Sequence, residues 1–400
     1  MKIIMLSVMM PAAENIRGTS ALPYHLMLRR DKSIEIELYT YNLNQLPDEK
    51  IKSVGRELNI KINVLQVPRW YTFLFKWHLL IFRLFLPYPI GNFFKLDEYT
   101  VKKINNGEPE GIWIYGEELS QVSRQFKNYC RLHTLPDCES LYYYRMLGNQ
   151  IGLSSISLYW RYVLMYPKYV RMERNFDTSK NIRYHLVGKE DVKMLKTINP
   201  QIQADFIRHP HYEIFPKTVP HFERDKIRVL IAGQNNIYMA NDAVRMIDSL
   251  IMGGGQQYLK ENVDFTFLGK GWEKIIHKLA VCGYQVTHIA FAEDYIKEIS
   301  KYDVQITPIS IGTGTKGKVL DAFANGLLVV GSKYALENVD VVNGTSCIEY
   351  DSPEDIPQIL HDISQNRPKY MKMAKIGQNV VLKMNDRETI SKILFSYFFK

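Results

Sequence analysis

The 400-residue sequence is poor in cysteine. Its four, Cys130, Cys138, Cys282 and Cys347, fall in no C-x-x-C spacing, which excludes a disulfide scaffold, a zinc finger and a dithiol redox centre and fits a reducing cytosol. No stretch reaches the roughly 18–20 uninterrupted apolar residues that cross a bilayer. No Asp-x-Asp pair occurs, and no block of consecutive Lys/Arg accompanies the 51 basic against 42 acidic residues. A broad nucleic-acid binder would carry such blocks, so nucleic acid is not the expected partner. The apolar start, 1–13, is short for a secretory leader and reads as a buried first strand.

What is present is a chain long and apolar enough, at 46% hydrophobic residues, for two globular domains. The formal charge of +9 is unevenly placed. Residues 1–220 hold 30 basic and 21 acidic side chains, whereas 221–400 hold 21 of each. Short β-branched runs alternate with helical patterns throughout, the grammar of βαβ units on parallel sheets. Strands are expected at 2–9, 34–40, 60–66, 111–116, 129–133, 183–188 and 203–208, with helices at 22–30, 72–86, 119–128 and 141–175. Pro210, Pro216 and Pro220, with His209 and His211 among them, mark a linker at 209–221. A second set of strands follows at 227–233, 263–269, 284–290, 302–307 and 327–331. The expected architecture is α/β: two Rossmann-like doubly wound domains, 1–208 and 222–380, facing a central cleft at the carboxyl ends of their strands. A terminal helix within 381–400 is expected to pack back on the first domain.

The segment 308–331 carries the chemistry. A strand ends at Pro308, a Gly-Thr-rich turn follows, a helix begins near Lys316, and Gly326 stops it. Glycines let successive N–H groups converge, and a helix N-terminus adds unpaired donors and a positive dipole end. Lys316 and Lys318 sit at the end of the helix that disfavours cations. An anion bound across Thr313, Gly314, Thr315, Gly317 and Val319 relieves that conflict, so the turn reads as a phosphate cradle with Lys316 and Lys318 as its cations. Asp321, in the same helix, is placed to accept hydrogen bonds from ribose hydroxyls.

This stretch resembles the donor-site signature of retaining glycosyltransferases of the GT-B fold, family four (glycosyl transferases group 1). It is most similar to the subset whose loop reads Gly-Thr-Gly-x-Lys-x-Lys. In the family's Glu-x7-Glu, Thr313 stands for the first Glu and Asp321 for the second, with the spacing kept. The run 267–271 resembles the family's Val-Gly-x-Gly turn, contributing Gly269 and Lys270, and 295–307 resembles its approach to the donor loop. Gly233, Gln234 and Asn235 follow the first strand of the second half, where the family often carries Arg and Lys. Lys318 or Lys270 substitutes for them, and Gln234 and Asn235 hydrogen-bond donor oxygens. The resemblance implies transfer of a sugar from a nucleotide-diphosphate sugar, with retention of configuration and with the departing phosphate taking the acceptor proton. The phosphate is stabilised by Lys316, Lys318 and backbone amides, with no metal and no other cofactor required. His133, at the end of the strand 129–133, is the expected catalytic side chain from the first half.

The acceptor side is expected on residues 1–208. Glu14 and Gly18, in the loop after the first strand, are the expected acceptor contacts. Residues 58–96 contain no acidic residue, and 72–86 is dominated by aromatic and aliphatic side chains. Read as one helix, it brings Lys76 and Arg83 onto a single stripe seven residues apart. With Phe82 and Phe85 these form the expected contact with an anionic membrane surface; a tightly packed subdomain explains the same pattern. The chain therefore reads as a cytoplasmic glycosyltransferase, peripheral on the inner face of the membrane. It acts on a saccharide or lipid-linked acceptor in bacterial cell-surface polysaccharide assembly. A nucleotide-sugar epimerase and a non-catalytic nucleotide-sugar or glycan binder are the alternatives.

Overall fold

Strands such as Ile227–Ala232 are buried along their whole length, which only a sheet covered on both faces satisfies. The computed structural model describes residues 1–14, 19–77, 79–148, 156–216 and 221–399. It divides into one unit of Met1–His209 with Arg387–Lys400 and a second of Pro210–Asp386, each built on such a sheet.

The first unit carries, among the described residues, seven parallel strands: β1 (Lys2–Ser7), β2 (Glu35–Thr40), β3 (Lys61–Val64), β4 (Gly111–Tyr115), β5 (Cys130–Leu135), β6 (Ile182–Leu186) and β7 (Ala204–Phe206). Their order is β3-β2-β1-β4-β5-β6-β7. The apolar start of the chain is thus a strand inside the sheet, with Met5 opposite Leu38 on one side and Trp113 on the other. Trp113 meets the ring of Phe395 edge-on at 5.5 Å. The helix Arg387–Phe395 that supplies it is held by Ser391 Oγ donating to the Leu26 carbonyl at 2.7 Å and by Arg387 donating to His25 Nδ1 at 3.1 Å. The preceding helix, Arg367–Met384, belongs to the second unit.

The second unit carries β8 (Ile227–Ala232), β9 (Val263–Leu268), β10 (Val286–Ile289), β11 (Val304–Thr307), β12 (Leu328–Gly331) and β13 (Ile348–Glu349), parallel and ordered β10-β9-β8-β11-β12-β13. The α/β architecture of two Rossmann-like doubly wound sheets is therefore the one present. At the start of β11, Asp303 is fully buried and accepts from the backbone N–H of Arg228 at 2.8 Å, its Nε at 2.9 Å and the Phe222 N–H at 2.7 Å.

One local expectation is corrected. The segment 72–86 is not one helix: an α-helix, Arg69–Lys76, ends where Trp77 leaves helical geometry (φ −96°, ψ 11°), and a 3-10 helix, Leu79–Leu84, follows. The first piece buries none of its residues fully and is anchored mainly through Trp70 and Tyr71 against the buried ring of Phe94, so little packing is left to prolong it. The carbonyls of Arg83 and Leu84 are taken instead by Lys168 Nζ, both at 2.7 Å. Lys76 and Arg83 therefore do not share a helical stripe. The division between the units falls at His209 and Pro210, within the expected linker, and residues 210–216 are tied to the second unit. Tyr212 N–H donates to Asp321 Oδ1 at 3.1 Å, Phe215 N–H to Asn325 Oδ1 at 2.9 Å and His211 N–H to the Asn385 carbonyl at 2.9 Å.

Removing one partner of a buried ion pair leaves the other charge stranded. Asp303→Ala is expected to lower the stability of the second unit by about 3–5 kcal/mol, read as an earlier urea transition for that unit.

Candidate functional site

In the second unit the order of strands reverses between β8 and β11, so the loops after them diverge and leave a crevice at their carboxyl ends. After β8 the chain turns at Gly233 (φ +123°), and after β9 at Gly269 (φ +132°). A Cβ on Gly269 would stand 2.4 Å from the Gly233 carbonyl oxygen, so only glycine lets the two turns touch. That carbonyl accepts from the indole of buried Trp272 at 2.8 Å, and the Gly269 carbonyl from His288 Nε2 at 2.8 Å. Asn235 ties the loops further, its N–H donating to the Lys270 carbonyl at 3.0 Å and its Nδ2 to the Gly271 carbonyl at 2.9 Å. Among the described residues its Oδ1 has no hydrogen-bond partner and is buried.

After β11 the chain passes Thr313 and Gly314 and enters the helix Gly317–Ala324, which has no acidic residue in its first turn and no side-chain cap. The N–H groups of Gly317 and Lys318 donate to nothing among the described residues. Fully buried Gln305 fixes this start by donating to the Lys318 carbonyl at 3.2 Å. Lys318 Nζ then lies directly over Gly233, where a Cβ would come within 2.6 Å of it, and its hydrogen-bond partner is the thioether of Met239 at 3.1 Å. No carboxylate pairs with it among the described residues. Burial, with the charge of Lys316 nearby, pushes its ammonium down to about 8. Lys316 Nζ donates to the carbonyls of Thr313 and Gly314. Glycine turns, unpaired helix N–H groups and two converging ammoniums can hold a phosphorylated anion.

The structure thus brings together Gly233, Asn235, Gly269, Thr313, Gly314, Thr315, Lys316, Gly317 and Lys318, with Gln234 and Lys270 exposed at the rim. Two expected donor contacts differ. Val319 is fully buried in the apolar core and its N–H is bonded to the Lys316 carbonyl at 2.9 Å, so it supports the helix from beneath. Asp321 is 3% exposed and clasps the Tyr212 N–H, so the carboxylate read as a ribose ligand holds the 210–216 segment in place. Among the described residues no group of three His, Cys, Asp or Glu side chains is arranged to hold a metal ion.

In the first unit His133 is also corrected. It is fully buried, its ring tilted against Tyr184 at 5.2 Å, and donates from Nε2 to the Gly116 carbonyl at 2.8 Å. Desolvation pushes it down to about 4, so it is neutral. It positions the turn after β4. Glu14 is exposed, 3.9 Å from Lys50 Nζ, and Gly18 lies outside the described residues. Lys76, Phe82 and Phe85 are exposed and Arg83 half-buried; Phe85 is 81% exposed, with Phe73, Phe75, Trp77 and Ile81 also bare. Sequence reasoning missed Glu117, Glu118 and Glu139, half-buried at the ends of β4 and β5. The signal available was an acidic group just past the carboxyl end of two adjacent strands, Gly116-Glu117-Glu118 and Asp137-Cys138-Glu139.

No family model and no curated protein matches the chain in sequence. Solved structures do match it in shape. HepE (Alr3699) from Anabaena, in complex with UDP, has a TM-score of 0.65 at 12% identity over 99% of each chain; it has also been solved with UDP-glucose. Sucrose-phosphate synthase from Thermosynechococcus elongatus gives 0.69 at 13% identity, covering 100% of this chain and 98% of its own. A glycosyltransferase from Rickettsia africae gives 0.64 at 9% identity, covering 99% and 98%. The chain has the GT-B fold.

Inorganic pyrophosphate is expected to bind most tightly below pH 8, where Lys318 holds its proton, and to lose affinity as pH rises past that value. Lys318→Met should remove the pH step, read by calorimetry. Gly269→Ala should weaken the same binding, because a side chain cannot occupy that approach.

Proposed function

We propose that the chain transfers a sugar from a nucleotide-diphosphate sugar, UDP-glucose being the first to test, to a lipid-linked saccharide acceptor in cell-surface polysaccharide biosynthesis. The observation that carries this is the Lys318 ammonium, held over Gly233 without an anionic partner among the described residues. The diphosphate of the donor is its missing partner. Lys316 and the Gly317 and Lys318 N–H groups share the load, and Thr313, Gly314, Thr315 and Asn235 hydrogen-bond donor oxygens. HepE, similar in fold, has been solved with UDP-glucose, which supports the choice of donor. The protein's own cations stabilise the departing phosphate, so the reading needs no metal. That phosphate takes the proton of the attacking acceptor hydroxyl on the same face, and configuration at the sugar is retained.

The acceptor reading rests on the first unit. Its bare aromatic side chains along 69–85 are accompanied by Arg69, Lys76 and Arg83, with no acidic residue from 58 to 96. Such a surface favours the interface of an anionic bilayer, into which aromatic rings insert beside phosphate headgroups. No helix of the described residues is long and apolar enough to cross a membrane; the proposed attachment is peripheral, through this aromatic and basic surface.

Calorimetry is expected to show UDP and UDP-glucose binding to the wild type and a loss of about tenfold or more in Lys318→Met, one charge-assisted contact being worth roughly 1.5–3 kcal/mol. Equal affinity in the variant contradicts the donor assignment. Flotation with phosphatidylglycerol-containing liposomes should carry the wild type upward and leave Phe82→Asp with Phe85→Asp at the bottom.

A further inference from the structure

Two segments of the first unit, far apart in the chain, meet at a group of cations. Lys168, in the helix Ile156–Arg174, is 8% exposed and donates from Nζ to the carbonyls of Arg83 and Leu84, both at 2.7 Å. On the same helix Arg171 donates to the Pro87 carbonyl at 3.3 Å, and just past its end Asn175 Nδ2 donates to the Tyr88 hydroxyl at 3.3 Å. The segment 83–88 is thereby laid along the helix. Burial first, and then the charges of Arg171 and Arg83, push the Lys168 ammonium below the usual lysine range. No carboxylate pairs with any of the three among the described residues, and the Arg83 side chain makes no hydrogen bond with any of them. Like charges gathered on a partly desolvated surface repel, and an anion seated among them removes that cost. The backbone contacts fix the group without exhausting it. An ammonium keeps a donor after serving two carbonyls, and a guanidinium presents a planar fork suited to phosphate oxygens.

A second, independent feature surrounds the same place. Phe82 and Phe85, near Arg83 in the chain, are 54% and 81% exposed. On the helix, Trp160, Leu164, Pro167 and Arg171 are all exposed, and their spacing is that of one helical face. The face is apolar toward its start and basic toward its end. Glu173, the one acid of this helix, is buried and accepts from the Ser140 N–H at 3.1 Å. An anion dissolved in water would leave the rings wet. A phosphate held at a bilayer surface serves the cations and the rings together.

We propose that Arg83, Lys168 and Arg171 form a seat for the phosphate of a membrane phospholipid, with Phe82, Phe85 and Trp160 entering the acyl region around it. The inference rests on the peripheral attachment proposed above for its bilayer; what it adds is a preference among headgroups. An aromatic and basic surface alone responds to surface charge whatever the lipid. Three converging cations gain more from a phosphate that takes a second negative charge. A phosphomonoester headgroup, that of phosphatidate, is therefore favoured over the phosphodiester of phosphatidylglycerol at equal surface charge.

Flotation of the full chain at pH 7 compares phosphatidylcholine vesicles doped with phosphatidate or with phosphatidylglycerol and matched in zeta potential. The wild type should partition about fivefold or more in favour of phosphatidate, the scale of one charge-assisted contact. Loss of a charge weakens binding to either vesicle, so the ratio between them is the readout. Arg83→Gln, whose side chain holds nothing else in the described fold, should lower that ratio, and Arg83→Gln with Arg171→Gln should bring it to unity. Equal partition of the wild type, or a ratio unchanged in the double variant, overturns the seat. Should the wild type float with neither vesicle, the bilayer reading fails, and calorimetry with dihexanoyl phosphatidate below its micellar concentration decides the seat by itself. Binding that falls about fivefold or more in the double variant upholds it. No binding, or inorganic phosphate bound as tightly as the short-chain lipid, overturns it.

Discussion

Lys318 is pressed against a glycine backbone at the mouth of the second sheet, with a thioether as its hydrogen-bond partner and another lysine nearby. A desolvated ammonium is costly to keep there, and much of the surrounding structure serves to place it. Gly233 must lack a side chain for the ammonium to fit, and Gly269 must lack one for the Gly233 turn to exist. Trp272 and His288 hold the two turn carbonyls, and Gln305 holds the lysine's own. An uncapped helix start adds donors in the same direction. Every one of these features favours a negative ligand and none replaces it.

The first unit shows the opposite imbalance. Its interior gathers carboxyl groups against one another at the ends of β4 and β5, while its surface along 69–85 is aromatic and basic. The surplus positive charge of the chain belongs to this half, which is why total charge is a poor guide to the partner.

Much of this was legible in the sequence because it is local. Parallel strands announce themselves as short apolar runs, and the turn 308–317 shows its glycines and lysines in order. What was not legible depends on contacts far apart in the chain. Asp321 sits where a ribose ligand is expected, yet the Tyr212 N–H, more than a hundred residues earlier, occupies it. His133 is read as a strand end yet lies inside β5, and only the contact with Tyr184 and the bond to the Gly116 carbonyl reveal that it faces inward. The helix over 72–86 failed because periodicity cannot report that only its start, through Trp70 and Tyr71 on Phe94, has a face to pack on. Glu117 and Glu139 escaped notice because each alone is an ordinary acid; their character comes from adjacency across the sheet.

The central claim is that the chain moves a sugar from a nucleotide onto a lipid-linked acceptor. The direct measurement is transfer of radiolabel from UDP-glucose and a panel of other nucleotide sugars into a bacterial membrane lipid extract, followed by organic extraction. The account predicts label in the lipid fraction from one donor, dependent on the protein and absent with Lys318→Met. Label released only as free sugar, or retained on the nucleotide with every donor while the protein binds it, would contradict it.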